Sequence, residues 1–124
     1  DAFKTKPWVD QMVVIGEDRP FLTALVVPDF EALRMRARDE DVDEGAYSDE
    51  ELLEVSAIQK VFRQMFNAFN REAAAHEKIR NFHLVAEPFS VDAGTLTPTM
   101  KLKRNVIEGE YTDDIDAMYA RFMR

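Results

Sequence analysis

The residues best suited to chemistry in this chain lie close together. The segment Gly94-Thr95-Leu96-Thr97-Pro98-Thr99-Met100-Lys101-Leu102-Lys103-Arg104 packs three threonines, a rigid proline and three cations into one short stretch. A loop stiffened by Pro98 and ending in cations can carry an ammonium group to an anionic partner such as a phosphate or a carboxylate. The competing reading is a surface loop that leads into a short helix, with Lys103 and Arg104 simply solvated.

Other candidate groups are weaker. Asp39, Asp41 and Asp43 stand at positions one, three and five of a calcium-loop spacing, and Glu50 at position twelve. The sixth position, where that loop needs glycine for its tight turn, is Glu44, and Gly45 comes one place late. We therefore read residues 39–50 as a solvated acidic connector and expect no metal site. His76-Glu77 lacks the second histidine of a zinc-protease helix, and His83 falls inside a predicted strand. Both histidines read as surface or packing residues. With two histidines and no cysteine, the usual nucleophile–base pairs have little material. The four glycines, Gly16, Gly45, Gly94 and Gly109, are scattered. No glycine-rich loop opens a helix, so a phosphate cradle of the P-loop or dinucleotide type is absent.

Composition bounds the remaining options. The chain has 124 residues, 46% hydrophobic and 32% charged, which is globular rather than disordered composition. The length suits one domain with one substantial core. Sixteen basic residues against twenty-four acidic ones leave a net charge of −8, which argues against a nucleic-acid footprint. No run approaches the ~18 apolar residues of a membrane span. The lack of cysteine rules out disulfides and thiolate sites and fits a reducing, cytoplasmic setting. The sequence begins at Asp1 without a Met, in the middle of what reads as a helix, so we expect a piece of a larger protein.

The elements that must hold the Lys101 segment follow from periodicity. Residues 1–8 read as a helix end stopped by Pro7. Residues 11–15 and 21–27 are β-branched and apolar around the turn cluster Gly-Glu-Asp-Arg-Pro, which predicts a hairpin. Both strands are apolar on both faces, so the sheet should be covered on both sides. Asp29 caps a helix with Phe30, Leu33 and Ala37 facing inward. Ser48 and Glu51 form a capping box. A long helix follows, with Val55, Ile58, Phe62, Met65, Phe66 and Phe69 as its stripe, an interruption near Ser56, and His76-Glu77 at its close. Next come a strand at 82–85, a second short hairpin around Asp92-Ala93-Gly94, and a final helix capped by Thr112-Asp113 with Ile115, Met118, Tyr119 and Phe122 inward. This predicts an α+β fold: a small, mainly antiparallel sheet of the N-terminal hairpin plus a later strand, flanked by helices, with the second hairpin just before the Lys101 loop.

Three stretches carry a resemblance. Gly-Thr-Leu-Thr-Pro-Thr-Met-Lys-Leu-Lys-Arg (94–104) resembles the C-terminal motif of long-chain fatty acid–CoA ligases, within the adenylate-forming superfamily. Trp8–Asp29 resembles the hairpin of their small C-terminal domain, and Glu77–Val91 the stretch before the catalytic loop. The likeness covers essentially the whole chain, least so in residues 39–50. Met100 stands where other branches of the superfamily usually place glycine, which points to the long-chain branch.

The resemblance implies that residues 1–124 are a mobile C-terminal lid. A large N-terminal domain and the hinge would lie outside this sequence. That large domain would bind ATP and Mg²⁺ and accept the fatty acid, with CoA as co-substrate. By its place in the motif Lys101 would be the adenylation lysine: its ammonium would stabilise charge on the transferring phosphoryl and orient the acyl carboxylate. The lid would then rotate and carry the lysine away before CoA attacks. Thr97, Pro98 and Thr99 would support the loop. Lys103 and Arg104 would contact the partner domain or CoA phosphates. The fragment alone would be inactive. The implied partners are the protein's own adenylation domain and its small substrates, without nucleic acid. Peripheral membrane contact suits apolar substrates, although no segment reads as an anchor. Two other readings stay open: a non-catalytic acidic interaction module, and the lid of a different adenylate-forming enzyme such as an aryl-CoA ligase.

Overall fold

A computed structural model describes residues 6–120. The helix end expected over residues 1–8 falls largely outside them. Lys6 to Trp8 form a turn, closed by the Val9 N–H donating to the Lys6 carbonyl at 3.1 Å. The predicted hairpin is present: β1 (Val9–Ile15) and β2 (Leu22–Pro28) pair antiparallel. Gly16 opens the connection, and a Cβ there would press on the end of the Leu22 side chain, which would have to move aside.

Asp29 caps α1 (Phe30–Asp39), accepting from the Ala32 N–H at 3.1 Å. A 3-10 turn at Glu44–Ala46 leads to α2 (Asp49–Leu53), which opens with the expected capping box. The interruption expected near Ser56 is present and divides the long helical stretch into two helices. The chain breaks at Glu54 and Val55, and α3 runs Ser56–Glu72. Gln59 stabilises the break by donating its amide to the Leu53 carbonyl at 2.7 Å. α3 ends at Glu72, short of His76, which sits in a separate 3-10 turn at Ala75–Glu77. Asn70 manages this end: its side chain donates to the Ile79 carbonyl (2.7 Å) and accepts from the Ile79 N–H (2.8 Å). That reciprocal pair fixes where β3 (Ile79–Leu84) starts, three residues earlier than predicted.

The strand order is β1-β2-β3, and β3 runs parallel to β2. The sheet is therefore mixed, where mainly antiparallel pairing had been expected. The reason is the crossover through α1, α2 and α3, which returns the chain to the end of the sheet where β2 began. α4 (Arg104–Glu110) and α5 (Thr112–Ala120) close the fold. Thr112 does not cap α5 as predicted. It is the first residue of that helix, and its hydroxyl donates back to the Glu108 and Gly109 carbonyls at 2.9 Å each, satisfying the end of α4. Phe122 lies outside the described residues.

Both sheet faces are covered. Alternation along β2 sends Ala24 and Val26 to one cluster with Leu33, Leu52, Ile58, Phe62 and Phe66, under α1–α3. Leu25 and Val27 go to a second cluster with Val13, Ile15, Phe89, Leu96, Ile107, Ile115 and Tyr119, under α4 and α5. Burial on both sides explains why β2 reads as a continuous apolar run. Among the described residues no helix is long and apolar enough to cross a membrane.

Candidate functional site

The Lys101 loop rests on the second cluster. After β3 the chain passes Val85, whose N–H donates to the Val26 carbonyl at 2.8 Å, and reaches Phe89. Gln11 of β1 clamps that residue. Its amide donates to the Phe89 carbonyl at 3.0 Å, and its oxygen accepts from the Phe89 N–H at 2.7 Å. Gln11 and Asp10 are the two polar residues of β1, and that polarity was the one signal of Gln11 in the sequence. From Phe89 the chain turns through Ser90. The buried Thr95 hydroxyl accepts from the Ser90 N–H (2.8 Å) and donates to the Ser90 carbonyl (3.2 Å). Gly94 holds a φ of +79°, which closes this turn.

The second hairpin forms one step later than predicted. Residues 91–94 are a turn, and pairing occurs across the lysine loop itself, through an antiparallel bridge between Leu96 and Leu102. Within it the Thr97 N–H donates to the Lys101 carbonyl (2.8 Å) and the Met100 N–H donates to the Thr97 carbonyl (2.8 Å). The Lys101 N–H donates to Thr97 Oγ1 at 3.0 Å, and the Thr97 and Thr99 hydroxyls share a bond of 3.1 Å. This is a three-residue hairpin loop, Pro98-Thr99-Met100, whose last residue is left-handed: φ is +67° at Met100. The local pairing failed around Asp92 because the Ser90–Thr95 bonds take the carbonyl and amide that a ladder there would need.

Lys101 is exposed and forms no ion pair among the described residues. Lys103 is exposed as well, and its backbone N–H donates to the Thr95 carbonyl at 2.9 Å. Arg104, placed by sequence with the substrate-contacting cations, donates its guanidinium to the Val14 carbonyl on β1 at 2.7 Å. The loop is thus pinned to β1 at both ends, by Gln11 before it and by Arg104 after it. Since β1 is an edge strand, the Arg104 guanidinium also satisfies one carbonyl, that of Val14, on an edge that would otherwise stay open.

The remaining candidates are placed apart from the loop. The acidic stretch is organised by Arg34. Its guanidinium donates to the Glu44 carbonyl (2.6 Å), Glu44 Oε1 (3.2 Å), the Tyr47 carbonyl (3.0 Å) and Asp49 Oδ1 (2.8 Å). The hydrogen bond with Asp49, more than any other contact, raises the Arg34 pKa, against the opposing effect of desolvation. Residues 39–50 are therefore partly tied to an internal cation rather than free in solvent. The Glu51 carboxyl is held below the ordinary glutamate value, first by the Ser48 backbone N–H donating to it and then by the Ser48 side chain. His83 Nε2 lies 3.6 Å from Asp114 Oδ1. His76 lines a cleft of about 310 Å³ with Gly16, Arg19, Lys78 and Arg80 at the turn end of the hairpin.

Residues 1–123 match the family model described as the AMP-binding enzyme C-terminal domain. The chain is 32% identical over 119 residues to the long-chain-fatty-acid–CoA ligase FadD15 of Mycobacterium tuberculosis, covering 96% of this chain and 20% of that protein. It is 36% identical over 115 residues to the long-chain-fatty-acid–CoA ligase 1 of Cavia porcellus, covering 90% of this chain and 16% of the relative. Among solved structures it is similar to the A-PCP didomain of carboxylic acid reductase from Segniliparus rugosus in complex with AMP. That match has a TM-score of 0.69 and 28% identity and covers 97% of this chain and 15% of the other. The chain thus spans about a fifth or less of the length of these proteins.

Proposed function

The chain belongs to the AMP-binding enzyme C-terminal domain family, and from that premise we propose that it is the mobile lid of an ATP-dependent long-chain fatty acid–CoA ligase, with Lys101 as the catalytic lysine. One observation carries the proposal: in a chain of this family, an exposed ammonium sits on a loop closed by hydrogen bonds between Thr97 and both Met100 and Lys101. Lys101 thus has a fixed backbone and a free side chain, as a group delivered to a separate centre requires.

In the first step an oxygen of the fatty acid carboxylate bonds to the α-phosphorus of ATP, and the bond to pyrophosphate breaks. Negative charge gathers on the transferring phosphoryl, where a positioned ammonium has its largest effect. Lys101 supplies that charge from the lid and orients the carboxylate. The lid then rotates, and the CoA thiolate attacks the acyl carbon and expels AMP. Among the described residues no three His, Asp or Glu side chains gather where a divalent cation would bind. ATP and Mg²⁺ would be held by the large domain. Thr97, Pro98 and Thr99 keep the loop rigid, and Lys103 is the remaining cation free to meet the partner domain or CoA.

The test separates the two half-reactions in the full-length protein. Lys101→Ala should lower fatty acid-dependent pyrophosphate exchange by ~10²–10³-fold and leave thioester formation from supplied acyl-adenylate nearly unchanged. Equal loss in both steps would overturn the assignment. A second reading is favoured by the likeness to a carboxylic acid reductase: the same lid chemistry in an adenylate-forming enzyme that does not pass its acyl group to CoA. Failure to form acyl-CoA with adenylation intact would select it.

A further inference from the structure

Three non-glycine residues among those described have left-handed backbones: Asp18, Asp41 and Met100, with φ of +59°, +60° and +67°. Aspartate tolerates this region because its short polar side chain bonds locally, whereas methionine has no such compensation. The Met100 side chain is also 67% exposed. Only a minor part of it is covered within its own domain to offset the unfavourable backbone. Beside it lies an open cleft of about 190 Å³ lined by Asp10, Gln11, Met12, Leu96, Met100 and Leu102. Five large apolar side chains are exposed among the described residues, and three of them, Val91, Met100 and Val106, fall in the short stretch around the lysine loop. The hairpin loop itself demands the left-handed turn at position 100, which glycine or asparagine would fill without strain; an exposed methionine there, directly before Lys101, marks a side chain used by something outside this domain.

We propose that Met100 is a positioning residue: it packs against the nucleotide-holding domain of the same protein only in the adenylate-forming arrangement, and so fixes how far Lys101 reaches. The inference rests on the lid assignment. The occupant follows from length, since the chain spans 20% and 16% of the two ligases it resembles, and Lys101 can act only against the part that lies outside it. An apolar contact made in one arrangement and lost in the other favours that arrangement by its own burial, without holding the lid after rotation. Leaving the contact unmade would lower adenylation by about 10- to 100-fold, the equivalent of burying one methionine side chain.

The experiment uses the full-length protein with Met100→Asn and Met100→Leu. Asparagine accepts the left-handed backbone and removes the apolar side chain. Leucine keeps the side chain's character and the strain. Met100→Asn should raise the melting temperature of the lid by a few degrees, lower fatty acid-dependent pyrophosphate exchange at least ~10-fold, and leave thioester formation from supplied acyl-adenylate within ~3-fold. Met100→Leu should keep pyrophosphate exchange within ~3-fold of the parent. Adenylation that survives Met100→Asn, or equal loss in both half-reactions, would overturn the proposal. Lys101→Ala run beside it separates the failures. If that variant loses adenylation while Met100→Asn does not, only the role of Met100 falls. If Lys101→Ala spares adenylation, the lid assignment falls first.

Discussion

Replacing Tyr119 by Phe removes one oxygen from the seam that ties α5 to the β1–β2 hairpin. That oxygen donates to the Phe21 carbonyl at 2.7 Å, accepts from the Thr23 hydroxyl at 3.2 Å, and lies 3.3 Å from the Ile15 carbonyl. Tyr119 is 2% exposed and Thr23 fully buried, so water cannot replace the lost partner. The ring contacts survive, since the Phe21 ring at 4.7 Å and the Arg19 guanidinium at 4.9 Å need no hydroxyl. The variant therefore isolates the hydrogen bonds. Two such bonds at about 1 kcal/mol each, plus the cost of leaving the Thr23 hydroxyl buried and unpaired, give a destabilisation of about 2–4 kcal/mol. For a chain of this length that is a fall in melting temperature of roughly 8–15 °C. Equilibrium urea unfolding is the assay, with an unchanged m-value required. Thr23→Val provides the control: with the hydroxyl already gone, Tyr119→Phe should cost about 1–2 kcal/mol less than in the parent. A cost under about 0.5 kcal/mol, or strict additivity of the two changes, would refute the reasoning.

Three further outcomes follow from the side-chain clamps. Arg34→Ala should cost about 1–2 kcal/mol, because the Glu44 and Tyr47 carbonyls and the Asp49 carboxylate lose a shared donor; faster amide exchange confined to residues 40–49 would confirm the location. Gln11→Ala should expose the Phe89 N–H to exchange and destabilise the chain by about 1–3 kcal/mol, with unchanged exchange at Phe89 counting against the clamp. The lowered Glu51 pKa means that the charged form is favoured in the folded state. Its contribution to the capping box is therefore fully present above the ordinary glutamate range and disappears as the pH falls through the lowered Glu51 value. A carboxyl titration by NMR should find Glu51 below the ordinary glutamate value, and a value at or above it would contradict the assignment.

The placement of the loop bears on function. A lysine that acts on a centre held by another domain needs a backbone that does not yield when the contact is made. Here the Leu96–Leu102 bridge, the Thr97 bonds and the two anchors on β1 supply that stiffness. Arg104 contributes by holding the loop to Val14.

What could be read from sequence was whatever depends on near neighbours in the chain. The hairpin, the Asp29 cap, the Ser48–Glu51 box and the inward stripe of the long helical stretch all follow from side-chain type at spacings of two to four residues. So did the covering of the sheet on both faces, because β1 and β2 are apolar at odd and even positions alike. The Lys101 motif was legible for the same reason, being a continuous string. What tertiary structure alone decided were pairings between distant segments. The parallel alignment of β3, the Gln11–Phe89 and Arg104–Val14 bonds and the Tyr119 seam join residues 78 to 104 positions apart or strands separated by three helices. No local preference encodes them. Each is fixed only when packing of the two apolar clusters has brought a polar group to a backbone atom that would otherwise stay buried without a partner.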